Sequence, residues 1–408
     1  GLMCRFWFFF LSVSFASMAN CQSNRVDIIG QGAPELAQFG GFDIGVSTIE
    51  VSTPDAVDVL NTPHGGETAF YERKLTVEVW YPADLAQGQP GGTYKAITRN
   101  PEITAMLHGR AVRDAEPLKE QGPYPLIIIS HGYPGNRYLL SHAGENLASK
   151  GYVVASIDHK DSTYDDQQSI ASTLYNRPTD QRNVLNFLAL LSEGLDNPFY
   201  SLVDSERTGI IGYSMGGYGL VNNLGGGFSE QSVNGFISPP NGLLGIHSTS
   251  NPGFRDTLDT RIKAGFIIAP WGMNAGFWTE ADLVGITTPS FYIAGDQDTV
   301  AGYNNGTKKI FESAINSDRY LLTYIGAGHN AGAPIPLPIE LDNEENAEPA
   351  THYRDDNWDN VEMNNIMDHF ATIWFDKHLK GVERSDALNN IPENYRERLR
   401  LEHLSIGE

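Results

Sequence analysis

The sequence predicts an α/β fold: a mostly parallel, doubly wound sheet with antiparallel N-terminal strands and a loop-rich partial cap. Three observations carry this. Continuously apolar runs such as Leu126-Ile127-Ile128-Ile129 and Tyr152–Ile157 suit strands buried on both faces of a parallel sheet. Amphipathic helical stretches separate these runs, and strands alternating with helices imply crossover connections. Gly212-Tyr213-Ser214-Met215-Gly216 lies between a short apolar strand and a helix-opening stretch, so a sharp turn joins the two.

Residues 1–19 read as an export signal. Arg5 is the only charge, Phe6 to Phe15 is apolar, and Ser17-Met18-Ala19 offers the small residues of a cleavage site. Cys4 and Cys21 are the only cysteines, so cleavage after Ala19 leaves no pair to form a disulfide in the chain. A secreted or periplasmic protein is the expectation. Cys21 is a candidate lipid-attachment site, although Asn20 before it is a poor match. Past the N-terminus no stretch approaches the ~20 apolar residues of a membrane span.

Residues 20–70 form an N-terminal extension with edge strands, since Ile44–Val51 alternates in polarity. The main α/β domain spans 71–390. Lys74–Tyr81 alternates until Pro82 stops it. Residues 83–122 are polar and broken by Gly and Pro, with one short helix near Pro101–His108. Strands are then expected at Leu126–Ile129, Tyr152–Ile157, Arg207–Ile211, Ala264–Ile268, Ser290–Ala294 and Tyr320–Ile325. Helices are expected at Leu139–Ser149, at Thr179–Leu191 with Thr179 or Asp180 as cap, after Ser214, at Asn305–Ile315 and at Val361–Leu379. Two insertions break the rhythm. Residues 225–261 are rich in Gly, Pro, Ser and Asn and read as the partial cap; residues 331–360 form an acidic loop. Residues 391–408 read as a tail.

With 50 Asp and Glu against 28 Lys and Arg, the net charge of −22 argues against nucleic acid, whose phosphates need basic partners. It fits a solvated acidic surface.

The chemistry centres on Ser214. A serine hydroxyl is a weak nucleophile unless a base lies within hydrogen-bond reach and an acid orients that base. For a Gly-x-Ser-x-Gly elbow the chain order is Ser, acid, His, with each partner just past a strand end. Asp298, in Ala294-Gly295-Asp296-Gln297-Asp298, is the candidate acid, with Asp296 its local competitor. His329, in Gly326-Ala327-Gly328-His329-Asn330, is the candidate base. Met215 N–H and Tyr133 N–H, the latter in His131-Gly132-Tyr133-Pro134, are the candidate oxyanion donors. Pro134 has no N–H, and His131 reads as shaping its loop. Asp355, Asp356 and Asp359 could hold calcium, but a solvated acidic loop is the simpler reading. No phosphate-cradling or dinucleotide-binding glycine pattern is present, so no cofactor and no metal are expected.

These stretches resemble α/β-hydrolase serine esterases over roughly residues 70–380, in particular the dienelactone-hydrolase-like and plasma-type platelet-activating-factor acetylhydrolase branch. The resemblance rests on Ser130–Arg137, Leu147–Val154, Asp158-His159-Lys160-Asp161-Ser162 and the elbow. It implies an α/β-hydrolase fold and an acyl-enzyme mechanism. One departure stands out. The acetylhydrolases place their acid after the strand that follows the elbow helix, where this chain reads Ile268-Ala269-Pro270-Trp271. That stretch is similar to bacterial cutinases and polyester hydrolases, whose acid lies one strand later, in agreement with Asp298. Trp271 and Tyr133 are then candidate substrate-binding residues, with Met215 beside them.

The expectation is an exported serine esterase acting on small or polymeric esters. Polyester or cutin hydrolysis and short-acyl lipid hydrolysis are the alternatives within this chemistry. A non-catalytic binding protein on the same scaffold is the alternative outside it.

Overall fold

A computed structural model of the chain describes residues 22–408; the expected export signal, Cys4 and Cys21 lie outside the described residues. Two long strands come first, β1 (Asp43–Asp58) and β2 (Ala69–Asp84), followed by a separate hairpin of β3 (Thr93–Ile97) and β4 (Thr104–His108). The core strands are β5 (Tyr124–Ser130), β6 (Val153–Asp158), β7 (Val203–Tyr213), β8 (Ile262–Ile268), β9 (Ser290–Gly295) and β10 (Arg319–Tyr324). Strand β11 (Leu399–Leu404) closes the far edge. The main sheet runs β11-β10-β9-β8-β7-β5-β6-β2-β1, extended by two-residue strands. From β6 to β10 all pairings are parallel, while β11, β2 and β1 join antiparallel. The mostly parallel, doubly wound sheet is that of an α/β-hydrolase fold.

The order β7-β5-β6 sets the position of the site. The chain steps from β5 to β6, then crosses back over β5 to β7. A crevice opens at such a reversal, outside the carboxyl ends of the strands. The loop after β5 and the turn after β7 both enter it.

Helices cover both faces. α1 (Ser141–Ala148) and α5 (Asn360–Lys380) bury Leu147, Phe370 and Trp374 on one side. α2 (Ile170–Glu193) and α3 (Met215–Asn223) bury Leu174, Leu185, Leu188 and Leu220 on the other. α5 is well punctuated: the Asp359 side chain accepts from Glu362 N–H, Lys377 and Lys380 lie in the last turn, and Gly381 takes the left-handed conformation at φ 67°.

Several elements differ from the sequence expectation. The helix expected from Thr179 begins at Ile170, capped by Ser169, and runs through Pro178. Proline has no N–H for the Leu174 carbonyl four residues earlier. Tyr218 Oη, from α3, donates to that carbonyl at 2.9 Å and replaces the missing bond. Asp180 therefore caps nothing; it is buried and binds Arg73 and His159.

The helix expected near Pro101–His108 is strand β4, whose Ala105 and Leu107 point inward in alternation. Strand β2 continues past Pro82 to Asp84. The Pro82 carbonyl accepts from Leu118 N–H, so its polar edge faces away from β1, beyond the last β2–β6 pair, Trp80 with Val154, and the ladder to β1 loses no donor. The helix expected at Asn305–Ile315 shrinks to α4 (Lys308–Ser313), because the backbone at Gly306 leaves the helical region at φ −131° and ψ −117°. The expected tail supplies β11, whose ladder to β10 runs from Arg319–Leu404 to Tyr324–Leu399.

Residues 225–261, read as a partial cap, fold into short helical turns. Phe228 stacks on Tyr218 of α3 at 4.5 Å, and His247 lies against Tyr175 of α2. None of them lines the cleft described below.

Candidate active site

Strand β7 ends at Tyr213, and Ser214 takes φ 54° and ψ −111°, a conformation that L-residues rarely adopt. Strain of this kind costs about 1–3 kcal/mol and persists only where the surroundings enforce it. Here Ser214 N–H donates to Ile268 O at 2.9 Å, while Ser214 O accepts from Tyr218 and Trp271 N–H. The turn also needs glycine. A Cβ on Gly216 would lie 2.0 Å from Ser130 O, so the elbow presses backbone to backbone against the end of β5. Ser214 is 8% exposed and stands at the start of α3.

The structure brings the three expected polar residues together. His329 Nε2 lies 2.9 Å from Ser214 Oγ, and His329 Nδ1 lies 2.8 Å from Asp298 Oδ2. Asp298 Oδ1 accepts from Val300 N–H at 2.8 Å and Ala301 N–H at 3.0 Å, which fixes the carboxylate's orientation. Asp296 points elsewhere: its Oδ1 accepts from Gly326 N–H at 2.7 Å and ties the acid turn to the histidine loop. Asp355 Oδ1 accepts from Gly328 N–H at 2.7 Å, so the acidic insertion steadies the same loop. The Tyr213 ring lies 5.4 Å from the imidazole, and its hydroxyl donates to the His329 carbonyl and to Asn330 Oδ1.

Tyr133 and Met215 N–H groups flank Ser214 from two elements, the loop after β5 and the start of α3. Among the described residues neither amide meets an acceptor. A Cβ built on Gly132 would stand 3.5 Å from Ser214 Cβ, so the loop passes close to the hydroxyl. Behind it lies a buried cation that sequence reasoning missed. Arg177, on α2, donates to the His131 carbonyl and, at 2.7 Å, to the Gly132 carbonyl. In a trans peptide the C=O and the following N–H point in opposite directions. Holding Gly132 O toward Arg177 therefore turns Tyr133 N–H the other way.

A buried polar chain supports this loop. Arg73 grips both oxygens of Asp180 at 2.8 Å; Asp180 Oδ2 meets His159 Nδ1 at 2.9 Å; His159 Nε2 meets Ser130 Oγ at 2.8 Å. His159 N–H donates to His131 Nε2 at 3.1 Å, which leaves His131 shaping the loop. Burial, with Arg177 and His159 nearby, pushes His131 well below the usual imidazole range.

The cleft beside Ser214 holds about 190 Å³. Tyr133 lines it, and so do Tyr164, Tyr213, Val300, Arg99 and His352, all outside the expected set. Trp271, expected to bind substrate, is not among its lining residues. Its ring packs on Phe277 at 5.6 Å, while its N–H holds the Ser214 carbonyl at 3.1 Å. Met215 is buried in the core. In the acidic loop Asp355 accepts from backbone amides and Asp359 caps α5. Among the described residues no three His, Cys, Asp or Glu side chains converge to hold a metal ion.

This arrangement can draw a proton from Ser214 to His329, hold the resulting imidazolium against Asp298, and offer two amides to a negative charge.

Comparison with known proteins agrees with the fold. Residues 74–190 match the family of platelet-activating factor acetylhydrolase, isoform II. The chain is 24% identical over 215 residues to cutinase est2 of Thermobifida alba, covering 52% of this chain and 55% of that one. It is 31% identical over 226 residues to platelet-activating factor acetylhydrolase of Cavia porcellus, covering 51% of this chain and 48% of that one. The chain spans about half the length of the curated relatives it matches. Among solved structures, a ferulic acid esterase from Streptomyces cinnamoneus superposes with a TM-score of 0.59 at 19% identity, covering 94% of this chain and all of that one. No helix among the described residues is long and apolar enough to cross a membrane.

Proposed function

We propose that this protein is an exported serine esterase that hydrolyses carboxylic esters of short acyl chain. The observation that carries the reading is the continuous hydrogen-bonded line from Ser214 Oγ through His329 to Asp298, beside two amides that meet no acceptor among the described residues.

Ser214 Oγ attacks the ester carbonyl carbon while His329 Nε2 takes its proton. The carbonyl oxygen becomes an oxyanion between Tyr133 N–H and Met215 N–H; removing one such donor costs about 3–4 kcal/mol of transition-state stabilisation in enzymes that use one. The C–O bond to the alcohol breaks as the imidazolium returns its proton to the leaving oxygen. Water, deprotonated by His329, then attacks the acyl-serine and releases the carboxylic acid and free Ser214. Asp298 fixes the tautomer throughout. A cleft of about 190 Å³ is below the usual range for drug-sized ligands, which favours a small acyl group.

A second reading, hydrolysis of a polymeric ester, draws support from the cutinase similarity. Release of soluble acid from a polyester film would favour it.

The test is hydrolysis of p-nitrophenyl esters from acetyl to long acyl chains, with Ser214→Ala beside the wild type. Short-chain activity lost in a folded variant supports the esterase. A folded wild type inactive on every chain length leaves two readings: a specificity that these small esters do not meet, or a non-catalytic binding protein.

A further inference from the structure

The chain carries 50 acidic residues against 28 Lys and Arg, yet among the described residues no Asp or Glu lines the cleft beside Ser214, and Arg99 is its one Lys or Arg. Most arginines near the site have partners: Arg73 holds Asp180, and Arg177 holds carbonyls. Arg99 differs. The residue is half-buried, and its guanidinium forms no hydrogen bond or ion pair among the described residues. Glu348 lies close enough to feel its charge, but Glu348 Oε1 is occupied by His352 Nε2 at 2.8 Å.

The backbone that presents Arg99 is pinned. Arg99 N–H donates to Tyr353 Oη at 3.0 Å, Thr98 Oγ1 donates to the carbonyls of Asn100 and Ile103, and Asn136 Nδ2 donates to Ile97 O at 2.7 Å. Tyr353 belongs to the acidic insertion, and Asn136 to the segment that continues the candidate oxyanion loop. The β3–β4 turn is thus tied to both rims of the cleft. An arginine on a pinned backbone, half-buried and bonded to no carboxylate among the described residues, is open to an anionic ligand, and its planar fork matches a carboxylate in two parallel bonds.

We infer that the protein selects ester substrates bearing a free carboxylate, held by Arg99 while Ser214 attacks the ester carbonyl. The inference rests on the esterase reading. The carboxylate is a spectator: the bond broken is the ester C–O bond, and water supplies the oxygen. Such substrates are half-esters of dicarboxylic acids or esters of hydroxy acids. The net charge of −22 repels anions from a distance, so the recognition is local and appears as a ratio between matched substrates.

The experiment uses the full chain and two matched pairs. The first is mono-4-nitrophenyl glutarate with 4-nitrophenyl pentanoate, placing the charge on the acyl side. The second is 4-acetoxybenzoate with its methyl ester, placing it on the alcohol side. For each pair kcat/KM is measured in wild type, Arg99→Gln and Arg99→Lys, with thermal midpoints to verify folding. In at least one pair the anion-to-neutral ratio falls about tenfold or more in Arg99→Gln, as expected for loss of a charged hydrogen bond, and Arg99→Lys restores part of it. A ratio unchanged by Arg99→Gln in both pairs overturns the inference while leaving the esterase reading intact. No wild-type hydrolysis of any member removes the esterase reading and this inference with it.

Discussion

Replacing Asp298 by asparagine tests the site at one atom. Asp298 Oδ1 accepts from Val300 and Ala301 N–H at 2.8 and 3.0 Å, while Oδ2 faces His329 Nδ1 at 2.8 Å. An asparagine has one oxygen and one NH2 group, and the two backbone donors require the oxygen on their side. The NH2 must then face Nδ1, which can only accept. The proton moves to Nε2, and His329 donates to Ser214 Oγ instead of drawing its proton away. Loss of the correct tautomer in a triad of this type lowers kcat by about 10⁴, or about 5 kcal/mol of barrier. Stability should hardly change, because both backbone bonds survive. Asp298→Ala separates the effects: it strands the buried Ala301 amide, at a cost of about 1–3 kcal/mol. Asp296→Asn is the control, since its oxygen can still accept from Gly326 N–H and kcat should stay within a few-fold. Initial rates on p-nitrophenyl acetate and thermal unfolding of all three variants give the readout. An Asp298→Asn variant with more than about a tenth of wild-type kcat would refute the assignment of the acid.

Three further outcomes follow from the geometry. Arg177→Met frees the Gly132 carbonyl and with it the direction of Tyr133 N–H; kcat should fall about 10- to 100-fold with KM little changed, and an effect on KM alone would deny the positioning role. Gly216→Ala places a Cβ 2.0 Å from Ser130 O, so the elbow must shift; the thermal midpoint and kcat should fall together, and wild-type values for both would contradict the packing. Buried His142 meets Asp368 at 3.0 Å through Nδ1 and the Ala333 carbonyl at 2.7 Å through Nε2, and its pKa is raised from 6.5, where Asp368 and these bonds outweigh the burial that opposes charge. Because the folded value exceeds the unfolded one, the stabilisation is complete below about pH 6.5 and fades as pH rises through the folded value. Midpoints of His142→Gln should therefore trail wild type more at about pH 5.5 than at about pH 8.5, and the reverse order would refute the assignment.

What the sequence makes legible depends on how local the cause is. The apolar runs of β5 and β6 announce buried parallel strands, because both faces must be apolar. Gly212, Ser214 and Gly216 announce the elbow, because only glycine permits its close backbone approach. The choice between Asp298 and Asp296 is not local, since it turns on which way each carboxylate faces. The helix through Pro178 was hidden because the donor that replaces the proline N–H sits on Tyr218 of another helix. Arg99 gave no signal: it lies in a polar stretch, and only the packing of the β3–β4 hairpin carries it to the cleft. Arg177 gave a faint one, a charge just before a proline on a helix face that proves fully buried.

The described residues hold two Ser–His–Asp chains, and physical chemistry separates them. Ser130, His159 and Asp180 reproduce the distances of Ser214, His329 and Asp298. Yet all three are sealed from solvent, so no carbonyl carbon can reach Ser130. To act as a base, His159 would have to become a cation in a dry site with Arg177 and Arg73 nearby. Burial and Arg177's charge push it down to about 3, despite Asp180. Neutral at physiological pH, it serves as a rigid two-ended linker. One nitrogen binds the acid clamped by Arg73; the other binds Ser130, whose carbonyl presses on Gly216 and whose hydroxyl accepts from Gln181, which also holds Gly216 O. The inner chain therefore braces the elbow whose strain it must outlast, and only the outer one has a cleft in which to react. The His159-Lys160-Asp161 stretch is thus a mark of architecture; catalysis by the outer chain is what the Asp298 variants decide.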